Sequence, residues 1–87
     1  MNREQLAQRF EAAGWKLRLG RDTETMVEFP ELLGLLQECF TRGWLDLEAS
    51  TPVLQELLQA QERRDYLLVA DILEILIPKS LRGPSAH

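Results

Sequence analysis

The chain holds a single cysteine, Cys39, and a single histidine, His87. One cysteine cannot form an internal disulfide, which fits a reducing compartment. A histidine at the last position is not placed for a Cys–His or Ser–His–Asp arrangement, which needs an imidazole fixed beside its nucleophile. Cys39 itself lies in an apolar pattern, where a thiol is usually inert packing. The five glycines are scattered, so no phosphate-cradling loop is present. No window approaches the ~18–20 uninterrupted apolar residues of a membrane span. Asp71 and Glu74 interrupt the best candidate. The opening residues, MNREQLAQRF, are polar and lack the apolar stretch of a signal peptide. These absences predict a cytoplasmic protein.

Metal and nucleic-acid chemistry are equally thin. Asp71 and Glu74 share a helix face, as do Glu28 and Glu31 across Pro30, but the Glu-x-x-His partner of carboxylate-bridged metal bundles is missing. Residues 22–28 are acidic without the calcium-loop pattern. The tract WKLRLGR (15–21) pairs an aromatic with alternating cations, a combination that can stack a base and hold phosphates. Its three charges face an acidic middle of the chain that would repel the same backbone. The reading is therefore no catalytic, cofactor-binding or metal residues, no nucleic acid and no evident small-molecule substrate.

What is present is an ordinary globular composition, 45% hydrophobic and 28% charged. The net charge of −4 hides an asymmetry. Residues 1–21 carry five basic side chains against two acidic, and residues 22–50 carry seven acidic against Arg42 alone. Two such halves attract one another, within the chain or between chains. A single domain of 87 residues buries only about 60–65% of its unfolded surface. Oligomerisation is a common supplement at that size.

Helix signals dominate. Asn2, with Gln5 three residues on, predicts a capping box for a helix over 3–13, with Leu6, Phe10 and Ala13 as its apolar stripe. Gly14 suits the left-handed residue beyond its end. Pro30 is expected to open a second helix, with Leu32, Leu33, Leu36, Cys39 and Phe40 inward and Gly43 as its stop. The segment 20–29 fits a loop, a strand or a short helix. A third helix is expected from Pro52, capped by Ser50 or Thr51, with Val53, Leu54, Leu57 and Leu58 on one face. The polar QERRD (61–65) reads either as a tight turn, with Asp65 capping a fourth helix that Pro78 ends, or as part of one helix over 52–77; the break it makes in the apolar seam favours the turn. A disordered tail is expected over 79–87. The echo of GWKLRL (14–19) and GWLDLE (43–48) leaves open a short β-pair of 15–19 with 44–48. The fold class predicted is all-α, a compact bundle of three to four helices with a C-terminal helical hairpin, forming one domain over 1–78.

The functional question lies in YLLVADILEILI (66–77), where ten of twelve positions are apolar. A surface helix normally shows a polar half, so this one must be covered on most of its circumference. Either the other helices surround it, or part of it buries against a second copy or another protein. The reading is a small non-catalytic interaction module that self-associates as a homodimer through this helix. Its expected contact residues are Tyr66, Leu68, Val69, Ile72, Leu73, Ile75 and Leu76, with Trp15 and Trp44 as secondary anchors. The alternative is a small export or folding chaperone, or an adaptor, that holds a client helix in a hydrophobic groove. Asp71 is expected either to face solvent or to meet a cation such as Arg64 or Arg18.

Overall fold

The computed structural model describes residues 2–82. The first helix, α1 (Arg3–Arg18), begins as its capping box requires. Asn2 Oδ1 accepts the Gln5 N–H at 2.8 Å, and the Gln5 side chain accepts the Asn2 N–H at 2.9 Å. It does not stop at Gly14. A Cβ there would lie 2.7 Å from Glu74 Cβ and 2.9 Å from the Ala70 carbonyl oxygen. The glycine is thus where α1 crosses the C-terminal helix at closest approach. The left-handed residue beyond α1 is Gly20, with φ of 83°, and Arg21 N–H closes the turn onto Lys16 O at 2.9 Å. Trp15 to Arg18 are therefore helical, and the described residues contain no strand. The β-pair of 15–19 with 44–48 does not form. Its second member is split between a turn and the start of the third helix.

The two middle helices both run through a proline expected to open them. α2 spans Asp22–Thr41 with Pro30 inside, and α3 spans Leu47–Glu62 with Pro52 inside. An interior proline costs about 3 kcal/mol. In α2, burial on both sides offsets it: Thr25 and Phe29 precede Pro30, and Leu32, Leu36 and Cys39 follow. The buried Thr25 hydroxyl donates to the Arg21 carbonyl at 2.9 Å. α3 starts earlier than Ser50 because Asp46 caps it, its Oδ2 accepting the Ala49 N–H at 3.3 Å. Gly43, with φ of 75°, ends α2 as its position predicts.

The polar QERRD is a turn. Asp65 N–H bonds Ala60 O at 2.8 Å, with Arg64 in the left-handed region at φ 59°. The Asp65 carboxylate then accepts the Leu68 N–H at 3.3 Å and caps α4 (Tyr66–Asp71). A π-helical turn (Ile72–Leu76) and α5 (Ile77–Arg82) follow without a break in helical backbone, so 66–82 forms one rod. The wide turn has a packing reason. Val69, Leu73, Ile77 and Leu81 are all buried at a spacing of four. A uniform α-helix would swing such a series by about 40° per step. The wider turn, in which Ile77 N–H reaches Ile72 O, rotates less per residue and returns Ile77 and Leu81 to the covered side. It also gives room at Pro78, which has no N–H for the Glu74 carbonyl. Hence the helix does not end at Pro78. Residues 79–82 are helical with Leu81 fully buried, which corrects the expected tail; 83–87 lie outside the described residues.

α1 lies antiparallel along the rod, with α2 on its other flank and α3 against α4. Val69, Ala70, Ile72 and Leu73 are fully buried within this arrangement. The radius of gyration, 12.1 Å, equals the roughly 12 Å of a compact chain of this length. The apolar helix is covered chiefly by α1.

Candidate functional site

Part of the charge asymmetry of the sequence is paired within the chain. Arg18, near the end of α1, reaches Asp71 at 2.5 Å and also Glu74 on the rod. Arg82, at the end of the rod, reaches Glu4 at 2.7 Å and Glu11 at 2.5 Å on α1. Each antiparallel partner thus lends one arginine to two carboxylates of the other. On the opposite flank Arg9 meets Glu28 at 3.2 Å and Glu31 at 3.0 Å, while Lys16 meets Glu28 at 2.7 Å. The Lys16 hydrogen bond, with Arg9 beside it, holds the Glu28 carboxyl below its ordinary range, and the Arg82 fork does the same to Glu4. Glu74 and Asp71 in turn raise the Arg18 guanidinium. Two of the three cations of WKLRLGR, Lys16 and Arg18, are engaged in these pairs. Of the two cations considered for Asp71, the one it meets is Arg18. Burial pushes the Cys39 thiol up to about 11, so it stays protonated inside the core.

The nine expected contact residues separate into distinct environments. Val69, Ile72 and Leu73 are fully buried against the chain's own helices and offer a partner nothing. Leu68 and Tyr66 pack partly against the same core, and Tyr66 borders a shallow depression with Met26 and Val27. Trp15 and Ile75 lie together beside Glu11 and Ala12, each more than half exposed. Trp44 and Leu76 line a separate groove.

That groove has a volume of ≈ 410 Å³. The end of α2 supplies Leu36 and Phe40, and the turn after Gly43 supplies Trp44 and Leu45. The first turns of α3 add Val53 and Leu54, and the rod adds Leu76 and Ile77. The Arg42 guanidinium sits over the Trp44 ring, 5.1 Å from its centre. Local signals explain the shape: Gly43 turns the chain sharply and Asp46 caps α3 at once, so Trp44 and Leu45 are held between two helices. The π-helical turn sets Leu76 toward the groove while its neighbour Ile75 faces Trp15. Two polar members were not visible in the sequence as site residues. Arg3 donates through Nε and Nη2 to the Leu81 carbonyl at 3.0 and 2.5 Å, and Asp46 is occupied in capping. Among the described residues no group of three or more His, Cys, Asp or Glu is arranged to hold a metal ion, and no helix is long and apolar enough to cross a membrane. Compared with protein-family models, curated proteins and solved structures, the chain matches none of them.

Proposed function

We propose that the chain is a non-catalytic interaction module that seats the apolar face of a partner helix in the groove beside Trp44 and Leu76. The observation that carries this reading is the groove itself, apolar on most of its wall and within the roughly 300–1,000 Å³ of ligand-sized pockets. Helix-in-groove recognition needs such a concavity, with a few apolar anchors of the partner entering it. Burial of Val69, Ile72 and Leu73 in the chain's own core favours an adaptor or chaperone role over self-association through those residues. Trp15 and Ile75, exposed side by side, favour self-association through that face as the second reading.

Adjacent residues make the test. Leu76→Lys puts a charge on the groove wall, and Ile75→Lys puts one beside Trp15. Peptides selected from an amphipathic-helix display library are expected to lose binding to Leu76→Lys and keep it with Ile75→Lys. The reverse pattern would move the docking site to the Trp15 face. A dimer in light scattering that Ile75→Lys dissolves would establish the second reading.

A further inference from the structure

Among the described residues Arg3 is the one cation on the groove wall, and it forms no ion pair with any carboxylate. Arg9, Lys16, Arg18, Arg42 and Arg82 each meet at least one carboxylate, whereas Arg21, Arg63, Arg64 and Lys79, like Arg3, meet none among the described residues, and none of these four lines the groove. From its place on the groove wall we infer that Arg3 selects a partner helix carrying an acidic residue next to its apolar face; the inference rests on the groove reading above and specifies its occupant.

The geometry is that of a tethered fork. Nε and Nη2 of Arg3 donate to the Leu81 carbonyl at 3.0 and 2.5 Å, which ties the guanidinium between the first turn of α1 and the last turn of the rod. A guanidinium carries five N–H donors, and among the described residues the others have no partner. A planar fork held in this way is pre-organised for a carboxylate, which takes paired charge-assisted hydrogen bonds from it. Asp46, the other charged group of the wall, accepts the Ala49 N–H through one of its two oxygens and forms no ion pair with Arg3. A partner helix with a basic residue at this place would set like charges together. A wholly apolar one would leave the fork to water. An acidic-apolar helix satisfies both features of the groove at once.

The test uses the full chain and a display library of amphipathic helices of about 15 residues, polar positions randomised. Selection is expected to fix an acidic residue at one place beside the apolar anchors. Changing that residue to Gln should weaken binding about tenfold or more, the scale of a hydrogen bond to a charged group. Arg3→Gln should weaken the parent peptide to a similar degree, and Arg3→Lys less. Arg3→Glu should refuse the parent and accept the peptide whose acid is replaced by Lys, a gain that a misfolded variant cannot produce. Peptides that need Leu76 but show no acidic preference, or bind Arg3→Gln undiminished, overturn this inference and leave the groove reading standing. Failure to select any peptide sensitive to Leu76→Lys overturns both.

Discussion

Two glycines inside helices carry opposite expectations. At Gly14 an added Cβ would meet Glu74 Cβ at 2.7 Å and the Ala70 carbonyl at 2.9 Å, so two helices would have to part. Gly14→Ala should therefore destabilise, by about 1–3 kcal/mol, although alanine is the better helix former. At Gly34, inside α2, a Cβ meets nothing within 4 Å. Gly34→Ala should stabilise by about 0.5–1 kcal/mol. Urea unfolding of the pair reads both signs, and equal shifts would refute the close crossing. The contrast also shows what a sequence withholds at this scale. Asn2 with Gln5, Gly43 and Asp65 could be read because their partners lie within a few residues. Gly14 could not, because what it makes room for lies 56 to 60 positions away. Arg3 was illegible for the same reason: its acceptor is the carbonyl of Leu81.

At the scale of the element, the helices are longer than their punctuation. Pro30, Pro52 and Pro78 look like boundaries and are interior: buried residues flank Pro30, the Asp46 cap starts α3 ahead of Pro52, and the rod widens into a π-helical turn at the third. Proline preference is a local rule, and tertiary burial outweighs it here. The hairpin at QERRD was legible, since a polar run between two apolar faces breaks any continuous seam. Pairing between elements is read by acid. A carboxylate whose folded pKa is lowered contributes stability while it is ionised, and that contribution disappears as the pH falls below the ordinary value of 4.5 and through the lowered one. Glu28, bound by Lys16 and Arg9, is such a group between α1 and α2. Glu28→Gln should be less stable than the parent near neutral pH, with the difference shrinking as the pH falls below 4.5 and through the lowered Glu28 value. A difference that persists unchanged into acid would mean that the ion pairs do not tie these helices together.

At the scale of the whole molecule, this chain covers its most apolar helix with its own α1 and leaves a groove at the α2–α3 corner. That the chain is all-α was plain from its periodicity. Which apolar residues stay available was not, because a stripe on the rod can bury against α1 or against a partner with the same spacing. Ile72 is fully buried. Ile72→Glu should therefore abolish cooperative unfolding and helical circular dichroism, since an unpaired buried charge costs several kcal/mol against a total stability of about 5–15 kcal/mol. A variant that kept its helicity would place Ile72 at an interface instead.

The groove is tested most directly by titrating the folded protein with anilinonaphthalene sulfonate, an apolar dye whose anionic group suits the Arg3 fork. The account predicts saturable binding at a single site in the parent and in Ile75→Lys, and its loss in Leu76→Lys. Binding that survives Leu76→Lys and disappears in Ile75→Lys, or no binding to the parent at all, would contradict it.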